Sequence, residues 1–438
     1  MSMQSKRDPE KGITATAPGA LIEEDTSRPL IPQRVSGGYI WALGLAQFGL
    51  FFALLSPIFV SMSLKATELN PSSPETVVGS VLPLGALGAL IGNPLFGALS
   101  DRTRTRWGRR RPWILGGILV FVGSLAWIAS SGDVLQLALG WLLAQLSANA
   151  VFAAITASFA DNVPEFQRGK ASSAIALAQN IAILAGIYLA VYLVGNLPML
   201  FIAPGIFAII AVLVYCFVAK DELPAEPLKR FTWTNLVSSF WTNPIKNPDF
   251  GWAWWGRFLM TFGTFMFTTY RVLYMEDHIG LAQADAVAAV AFGVLLYTIA
   301  LLVSAAISGW ASDRFGRRKV FVWTSTALTA AGLVLLAHAG TVEMFYLAEI
   351  ILGFAYGVYV AIDTALIVDV LPNPDRPGKD LGVINIANAL PQSLAPVVGL
   401  WLLHAGSTSG GNYTLMLWGA GFAVLLGALV IFPIKSVR

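Results

Sequence analysis

The sequence predicts an all-α membrane protein in which twelve transmembrane helices form two pseudo-symmetric six-helix bundles. Hydrophobic residues make up 56% of the 438 positions and charged residues only 12%, and the mean hydropathy is +0.68. Soluble domains do not have this balance. Apolar tracts of about 20 residues, each long enough to cross a hydrocarbon core of about 30 Å, recur along most of the chain. The third observation is that the second half of the chain repeats the first.

Two arginine-rich loops show the repeat. SDRTRTRWGRRRPW begins at Ser100, and the shorter SDRFGRRK begins at Ser312. The first loop contains four extra residues, and from there onward a single separation of 208 positions holds. The landmarks related by this separation are Gly108 and Gly316, Asp161 and Asp369, Pro164 and Pro372, Arg168 and Arg376, and Asn180 and Asn388. Such a constant register predicts two parallel copies of one bundle.

The spans and their connections divide the chain into four parts. Residues 1–37 are polar and predict a disordered cytoplasmic tail. Residues 220–250 predict a cytoplasmic linker between an N-terminal bundle, 38–219, and a C-terminal bundle, 251–438. The twelve spans are expected at 38–62, 77–99, 113–131, 134–159, 171–194, 198–219, 251–275, 286–309, 320–339, 343–368, 381–404 and 412–433.

Charge predicts the orientation of the spans. Six arginines between Arg102 and Arg111 cannot lie in hydrocarbon, where one charge costs roughly 2.5–3.5 kcal/mol. Short loops rich in Lys and Arg stay in the cytoplasm. Of the 28 basic residues, only Lys65 falls in a predicted outer loop, and Arg271 lies near the outer end of the seventh span. The distribution predicts a multi-pass protein of the cell membrane, with both termini cytoplasmic.

Two carboxylates inside the tenth span, Glu349 and Asp363, are candidates for proton coupling. They are 14 residues apart, which brings them to within about 40° of the same helix face. Tyr356 lies on that face as well. Intramembrane acids are plausible proton carriers because burial changes their affinity for protons. The alternatives are that Glu349 lies at the outer interface and that Asp363 is a structural partner for a cation such as Arg257.

Amide side chains are spread over several spans and could line a central cavity. Amides and aromatic rings suit a neutral polyhydroxyl ligand, which needs many hydrogen-bond donors and acceptors and offers apolar ring faces. The alternative for each amide is a hydrogen bond between helices, worth about 0.6–2 kcal/mol. The residues that we predict to bind substrate are Gln47, Gln145, Asn149, Asn180, Tyr356, Asn388 and Gln392.

Charged residues of the two loops recur at the cytoplasmic helix ends and are predicted to gate the molecule. Equivalent ion pairs in both halves would close one face and break when the other face closes. The alternative is that they only anchor the loops at the interface. The predicted gating residues are Asp101, Arg102, Gly108, Arg109, Arg110, Asp161, Arg168, Asp313, Arg314, Gly316, Arg317, Asp369 and Arg376.

Other classes of protein lack support in the sequence. The chain has no Walker-type glycine loop, its three histidines do not have the spacing of metal ligands, and no serine nucleophile with a matching histidine is discernible. The basic residues are dispersed rather than gathered on one patch, which disfavours a nucleic-acid partner. The lone Cys216 excludes an intrachain disulfide. We therefore predict no enzyme activity, cofactor or metal.

The two loops resemble a known motif. GALSDRTRTRWGRRR and GWASDRFGRRK look like the duplicated loop motif of the major facilitator superfamily, over about residues 38–434. The longer first copy, GLAQFGLFFALLSPIF from Gly44 and RRRPWI ending at Ile114 are similar to sucrose-type and glycoside/pentoside/hexuronide cation symporters. The resemblance implies the major facilitator fold and a sugar or glycoside carried with a cation. It places Asp101, Arg102, Gly108, Arg109 and Arg110 in the conformational gate.

This sequence departs from both branches of symporters. The second span lacks the acidic residues with which the melibiose-like branch binds its cation, and the seventh span, TFGTFMFTTYRVLY, has Arg271 where the sucrose branch has an acidic motif. The departures favour protons over sodium. We predict a proton-coupled sugar or glycoside symporter with a small-molecule solute, a proton and the lipid bilayer as partners. A proton-coupled exporter of amphipathic compounds and a membrane sensor on a transporter fold are the alternatives, and the oligomeric state is open, with a monomer compatible.

Overall fold

The computed structural model describes residues 34–221, 246–315, 318–372, 377–406 and 411–435. These residues form twelve long helices, which confirms the predicted all-α fold. The helices are α1 Gly37–Leu69, α2 Pro74–Arg102, α3 Arg111–Ser130, α4 Val134–Asn162, α5 Glu165–Leu193, α6 Leu197–Val218, α7 Pro248–Asp277, α8 Gln283–Phe315, α9 Arg318–Ala337, α10 Val342–Asp369, α11 Pro377–His404 and α12 Tyr413–Val430.

Eleven helices within the described residues are long and apolar enough to cross a membrane. The twelfth, α7, is 30 residues long but is less apolar, because it includes the charged residues Asp249, Arg257, Arg271, Glu276 and Asp277. Several helices continue beyond the predicted spans toward the arginine-rich loops. Most of the predicted tail, residues 1–33, lies outside the described residues, and so does most of the predicted linker, namely residues 222–245; α1 begins at the last residue of the predicted tail, Gly37.

The two halves have the same internal packing. In the N-terminal half, α2 and α3 pack on α4, α1 packs on α5 and α6, and α3 packs on α6. In the C-terminal half, α8 and α9 pack on α10, α7 packs on α11 and α12, and α9 packs on α12. The halves meet where α2 contacts α11 and where α5 contacts α8, two contacts that are also related by the repeat. The predicted pseudo-symmetry of two six-helix bundles is confirmed.

The first helix contains a local irregularity. Proline has no backbone N–H and interrupts the regular hydrogen bonds of an α-helix. A π-helical segment, Pro57–Ser61, begins at this proline, and its last bond runs from the Met62 N–H to the Pro57 carbonyl. Such segments widen the helix by one residue and are frequent at functional sites. This one places Ile58 and Phe59 on the face of α1 that looks toward the opposite half.

Small residues let α8 and α10 approach closely. A Cβ atom at Gly353 would lie 2.2 Å from the backbone oxygen of Tyr297, and one at Gly357 would lie 2.3 Å from the backbone oxygen of Leu301. Membrane helices without water between them depend on such close packing. The two glycines therefore fix the position of α10, and with it the positions of Glu349 and Asp363.

Candidate functional site

A cavity of about 540 Å³ lies between the two halves. The N-terminal half contributes α1, α2, α4 and α5, and the C-terminal half contributes α7 and α11. The residues that line it are Phe51, Leu54, Leu55, Ile58, Phe59, Leu82, Ala86, Ala89, Leu90, Asn93, Pro94, Trp141, Gln145, Asn149, Phe152, Ile183, Phe265, Thr269, Asn385, Ile386, Ala389, Gln392 and Pro396.

The lining combines amides with aromatic rings, and none of these lining residues carries a charge. Five amides and one hydroxyl supply hydrogen-bonding groups to an otherwise apolar surface; they are Asn93, Gln145, Asn149, Asn385, Gln392 and Thr269. Ligand pockets commonly have this character, with apolar walls and a few polar groups that orient the ligand. The absence of charge on the walls favours a neutral ligand, because an ion that leaves water would find no counter-charge there.

Backbone hydrogen bonds orient two of the amides. Asn149 Nδ2 donates to the Gln145 carbonyl oxygen at 2.8 Å, and Gln392 Nε2 donates to the Asn388 carbonyl oxygen at 3.1 Å. Each bond spans one helical turn and uses one amide hydrogen. It therefore leaves the amide oxygen and the second hydrogen pointing away from the helix backbone. The two residues lie on α4 and α11, so that oriented amides from both halves line the same space.

Three of the seven residues predicted to bind substrate lie in this lining, namely Gln145, Asn149 and Gln392. The other four lie elsewhere. Gln47 is buried within the N-terminal half, and Asn180 Nδ2 donates to the Ala176 carbonyl oxygen at 2.9 Å. Asn388 lies one turn before Gln392 outside the lining, and Tyr356 lies inside the C-terminal half. Helical spacing placed the amides on helices, but it could not show how each helix is rotated.

The sequence analysis did not single out four phenylalanines and one threonine of the lining as binding residues: Phe51, Phe59, Phe152, Phe265 and Thr269. An aromatic residue in an apolar span looks the same in sequence whether it faces lipid or a cavity. For Phe59 the available signal in the sequence was Pro57. The π-helical segment that begins at this proline changes the rotation of the residues that follow.

The cavity is closed at one end. We call the end of the molecule with residues 103–110 the arginine-loop end and the other the opposite end. At the opposite end, Tyr270 donates a hydrogen bond of 2.6 Å to the Pro396 carbonyl oxygen, and a Cβ at Gly79 would lie 2.4 Å from the Tyr270 hydroxyl. Glu75 Oε1 and His404 Nε2, which belong to different halves, lie 3.4 Å apart.

The other end of the cavity is open to solvent. Asn385 is the lining residue of α11 nearest to the arginine-loop end, and its side chain is exposed. Pro396, at the opposite end of the same lining, is buried. This difference shows that solvent reaches the cavity from the arginine-loop end. The structure is therefore a state that opens toward the arginine loop and is sealed at the opposite end.

The predicted gating residues of the first loop form one network within the N-terminal half. Asp161 lies 2.7 Å from Arg109 Nη2 and 3.2 Å from Arg110 Nε. Arg110 also reaches Asp101 at 2.5 Å and donates to the Ser100 hydroxyl at 2.7 Å. The network ties the ends of α2 and α4 to the start of α3. Among the residues that the structure describes, none of these ion pairs and hydrogen bonds reaches the other half.

Two further arginines bind helix ends. Arg102 Nη1 donates to the Ala98 carbonyl oxygen at 2.6 Å, and Arg168 Nε donates to the Val163 carbonyl oxygen at 3.2 Å. A cation at the C-terminal end of a helix compensates the carbonyl groups that have no partner in the helix. Arg102 and Arg168 therefore stabilise the ends of α2 and α4 at the arginine-loop end.

The second half repeats one ion pair of this network. Arg318 Nη1 lies 2.5 Å from Asp369 Oδ2, and these residues are the equivalents of Arg110 and Asp161 at a separation of 208. Arg314 is exposed in the last turn of α8. The remaining predicted gating residues cannot be placed in full: Asp313 belongs to α8 but its side chain is not described, and Gly316, Arg317 and Arg376 lie outside the described residues.

A connection between the first loop and the end of α6 was missed in the sequence. Asp221 Oδ2 accepts hydrogen bonds of 2.8 Å from the backbone N–H groups of both Arg110 and Arg111, which begin α3. Arg111 Nη2 donates to the Ala219 carbonyl oxygen at 2.9 Å. A carboxylate at the N-terminal end of a helix satisfies unpaired N–H groups and is attracted by the helix dipole. Asp221 therefore fixes the arginine loop against the end of α6.

Gly108 is required for this contact. Its φ of +102° is a conformation that favours glycine, and a Cβ atom there would lie 2.2 Å from Asp221 Oδ2. We expect Gly108→Ala to lower the free energy of unfolding by about 1–3 kcal/mol from backbone strain alone. Thermal denaturation of the purified protein measures the effect. Gly116→Ala is the matched control, because a Cβ at Gly116 meets nothing within 4 Å; equal stability of the two variants would contradict the assignment.

Two buried ion pairs connect α7 and α10. Arg257 Nε donates to Asp363 Oδ2 at 2.8 Å, and Arg257 Nη2 donates to the same oxygen. Arg271 Nε lies 3.2 Å from Glu349 Oε1. The arginines are 14 positions apart, as are the carboxylates, and the two helices run in opposite directions. Neither carboxylate lies in the lining of the central cavity.

Comparison with known proteins identifies relatives of this chain. The model of the Major Facilitator Superfamily matches residues 41–308 and 286–437. The uncharacterized symporter sll1374 of Synechocystis is 54% identical over 48 residues, which are 11% of this chain and 9% of that protein. The uncharacterized transporter YddS of Bacillus subtilis is 24% identical over 387 residues, covering 83% of this chain and 84% of its own length.

Other matches are short, and one of them is to a protein named for multidrug resistance. A multidrug resistance protein B homolog of Mycobacterium tuberculosis (strain CDC 1551 / Oshkosh) is 29% identical over 147 residues, which are 33% of this chain and 26% of that protein. The matched region thus spans about a tenth of the length of the Synechocystis relative and about a quarter of the mycobacterial one.

Solved structures share the fold. A mutant of the nucleoside transporter NupG superposes with a TM-score of 0.72 at 13% identity, covering 90% of this chain and 99% of that one. A bacterial homolog of the human lysosomal transporter Spinster, in an inward-facing and occupied conformation, superposes with a TM-score of 0.71 at 13% identity, covering 92% and 98%. At these identities the comparison concerns the fold and not the solute.

Proposed function

Because this chain belongs to the Major Facilitator Superfamily, we propose that it is a secondary active transporter of a neutral, hydroxyl-rich solute, a sugar or glycoside, carried together with a proton. The observation that carries the proposal is the uncharged cavity between the halves, with oriented amides on both sides. A central cavity between two repeated bundles is suited to alternating access, in which the halves rock around a fixed site.

The chemistry of the lining supports a sugar or glycoside. Hydroxyl groups both donate and accept hydrogen bonds, and an amide side chain offers both functions in return. The apolar face of a sugar ring can pack on aromatic side chains such as Trp141 and Phe265, which lie on opposite halves. The resemblance of the first loop, Gly44–Phe59 and the segment ending at Ile114 to sucrose-type and glycoside symporters supports the same solute class.

We place the arginine-loop end in the cytoplasm of a bacterial cell and both termini with it. The support is the concentration of Lys and Arg in the loops at that end. In this orientation the structure is an inward-open state, sealed on the outer side by the contacts of Tyr270, Glu75 and His404. An importer would release its solute from this state.

Proton coupling is assigned to the buried carboxylates of α10. Asp363 and Glu349 are both almost completely buried, and each lies beside an arginine of α7. Ionisable residues inside a membrane bundle are costly and mark ion or proton pathways. Helix α7 also supplies Phe265 and Thr269 to the cavity, so a change of charge at its arginines can reach the solute site through one rigid element.

The ion pairs at the arginine-loop end are proposed as the gate. Each half keeps its own pairs in the open state, Arg110 with Asp161 and Arg318 with Asp369. Closure of this end would bring the loops of the two halves together, so that these residues exchange partners across the interface. The repeated position of the pairs supports equal roles in the two halves.

A second candidate function is export of amphipathic compounds. It is favoured by the five aromatic side chains of the lining, which are Phe51, Phe59, Trp141, Phe152 and Phe265, and by the match to the mycobacterial multidrug resistance homolog. The described residues that line the cavity include no acidic side chain that would attract a cationic compound, which places this function second.

Uptake into proteoliposomes distinguishes the two functions. We expect accumulation of a labelled disaccharide or glycoside, from a panel of sucrose, maltose, lactose and phenyl glucoside, when a pH gradient is imposed. Liposomes without protein and liposomes with the gradient collapsed are the controls. If none of the panel accumulates, while an amphipathic dye such as ethidium drives proton flux, the exporter function replaces the sugar symporter.

Removal of a lining amide should weaken solute binding. We expect Asn149→Leu or Gln392→Leu to raise the dissociation constant of the transported sugar about fivefold, since one hydrogen bond contributes on the order of 1 kcal/mol. Isothermal titration measures this change. Asn180→Leu is the matched control, because Asn180 lies outside the lining. A loss of affinity in the control equal to that in the lining variants would contradict the assigned cavity.

A further inference from the structure

The two carboxylates of α10 differ in their hydrogen bonding. Asp363 accepts two hydrogen bonds from Arg257 on one oxygen. Glu349 is completely buried, yet neither of its oxygens accepts a hydrogen bond from any described residue. Arg271 Nε approaches Glu349 Oε1 at 3.2 Å, but the N–H does not point along this line, and Nε also has no hydrogen-bond partner among the described residues.

Such buried groups normally have partners. More than 90% of buried polar groups in proteins are hydrogen-bonded to protein or to ordered water. Leaving both Glu349 oxygens and the Arg271 Nε–H without a hydrogen bond would cost about 1–3 kcal/mol for each group, even though the two opposite charges lie 3.2 Å apart. The arrangement therefore indicates that something other than a protein side chain binds there.

A small chamber adjoins Arg271, with a mainly apolar surface and a few polar side chains. It has a volume of about 10 Å³ and is lined by Thr264, Phe267, Thr268, Arg271, Tyr297, Thr329, Leu333, Leu352 and Tyr356. This is about the space that one water molecule requires. The three threonine hydroxyls donate to backbone carbonyls one turn earlier, so their oxygens remain as acceptors. Arg271 supplies the donor, and the chamber therefore has both functions that bind water.

We propose that Glu349, Arg271 and this chamber form a hydrated proton-binding site inside the C-terminal half, and that Asp363 with Arg257 is a structural ion pair. The inference rests on the proposed proton coupling and names the residue that performs it. Glu349 does not itself line the chamber; Arg271 does, and its Nε lies 3.2 Å from Glu349 Oε1. A water molecule in the chamber connects Arg271 with the tyrosines of α8 and α10. The site is separate from the solute cavity, since none of these residues belongs to the cavity lining.

The proton step involves only Glu349 and water. A proton from water forms an O–H bond on a Glu349 oxygen, which becomes neutral, while Arg271 keeps its positive charge; release returns the proton to water. Protonation of Glu349 weakens its charge attraction to Arg271 but breaks no hydrogen bond, whereas protonation of Asp363 would weaken both the charge attraction and two charge-assisted hydrogen bonds to Arg257. The geometry therefore makes Glu349 the residue that can exchange a proton at lower cost.

A proton that binds Glu349 must pass the side chains that surround it. The titratable and charged groups that face it are Arg271 and Tyr274 on α7 and Tyr297 on α8. Tyr356, two turns along α10, packs against Tyr297 with ring centroids 6.3 Å apart and against Tyr359 at 6.1 Å. This row of tyrosines extends from the chamber toward Asp363, which lies about 21 Å from Glu349 along the helix.

Coupling to the solute follows from the sequence of α7. Thr269 lines the solute cavity, and Arg271, two residues later, lines the chamber. When Glu349 is neutral, Arg271 loses its partner and is attracted less strongly toward α10. A shift of Arg271 moves the same helical turn that carries Thr269. Helix α7 thus connects the proton site to the solute site without a shared residue.

Infrared spectroscopy tests the proposal without a solute. We expect the purified protein, titrated from acid to alkaline pH in lipid nanodiscs, to show the C=O stretching band of a buried carboxylic acid that disappears at alkaline pH. The band should be missing in Glu349→Gln and retained in Asp363→Asn. Loss of the band in Asp363→Asn alone, its persistence in Glu349→Gln, or its absence from the unmodified protein would each overturn the proposal.

Two further variants keep the test decisive. If Glu349→Gln does not fold because Arg271 is left unpaired, the neutral double variant Glu349→Gln/Arg271→Gln should fold and should also lack the band. Glu343→Gln is the control for an acid in the first turn of α10, outside the chamber. The spectrum needs no substrate, so it tests this inference separately from the sugar proposal. If the band depends on Glu349 but the protein transports no sugar, this inference is retained and the sugar proposal is rejected.

Discussion

Replacing Asp363 with alanine is expected to destabilise the protein by about 3–5 kcal/mol, because the change leaves Arg257 as an unpaired buried charge. The Asp363 side chain is 4% exposed and that of Arg257 15% exposed, so water replaces the lost partner only in part. Chemical denaturation of the purified protein in detergent measures the change. A loss below about 1 kcal/mol, the size found for exposed pairs, would show that the pair is not buried in solution.

The partner substitutions separate a structural role from a role in transport. Arg257→Met should destabilise as strongly as Asp363→Ala, since it leaves the carboxylate alone. The double variant Arg257→Met/Asp363→Leu replaces the pair by apolar side chains and should recover most of the lost stability. If the double variant is stable and still accumulates solute in a pH gradient, Asp363 is not the proton carrier, in agreement with the assignment of that role to Glu349.

Crosslinking the opposite end is expected to abolish transport completely. Glu75 and His404 belong to different halves and lie 3.4 Å apart in the state that is open toward the arginine loop. Glu75→Cys and His404→Cys, joined by a short bismaleimide with a reducible disulfide, would keep this end closed. Since the solute cavity is then open from one side only, uptake and exchange should both stop. Cleavage of the crosslinker should restore them.

The controls for this experiment are available in the chain. Cys216 is the only cysteine and is changed to serine in every variant. Each single cysteine variant should react with the reagent, and its transport rate after the reaction should equal its rate before the reaction. Residual transport by fully crosslinked protein would mean that the solute crosses without separation of α2 and α11 at this end.

The fold could be predicted from the sequence because its determinants are repeated. Apolar tracts of bilayer length predict spans wherever they occur, and the separation of 208 residues predicts two equal halves. The structure confirms the spans and the two equal halves. The ion pair of Arg318 with Asp369 even repeats that of Arg110 with Asp161. The seventh span was predicted at 251–275, and α7 extends over Pro248–Asp277 although it carries five charged residues.

The candidate site was less predictable, because it depends on helix rotation. Gln145 and Asn149 line the cavity, whereas Asn180 and Asn388, related to each other by the repeat, do not. A helical wheel drawn for a regular α-helix cannot predict which face of α1 carries Phe59, because the π-helical segment beginning at Pro57 changes the rotation of the residues after it. Tyr356 was predicted to share a face with Glu349, and it does, but this face looks into the C-terminal half.

The pairing of charges contained an unused signal. Arg257 and Arg271 are separated by the same 14 residues as Glu349 and Asp363, and two antiparallel helices with equal spacings can match both pairs. The sequence analysis predicted Glu349 and Asp363 as proton-coupling residues and considered Arg257 as an alternative structural partner for Asp363, but it named no partner for Glu349 and gave the outer interface as its alternative position. The structure instead buries Glu349 beside Arg271. The contact between Asp221, after the end of α6, and the arginine loop was missed for a different reason, because a single aspartate forms no spacing pattern in the sequence.

Paired spin-label distances test alternating access most directly. One pair, at Ser72 and Ala282, reports the opposite end, and another, at Lys170 and Lys435, reports the arginine-loop end; all four residues are exposed. The account predicts that acid pH with the transported sugar lengthens the first distance while it shortens the second, in the same fraction of molecules. Distances that stay fixed under every condition, or that lengthen together at both ends, would contradict it.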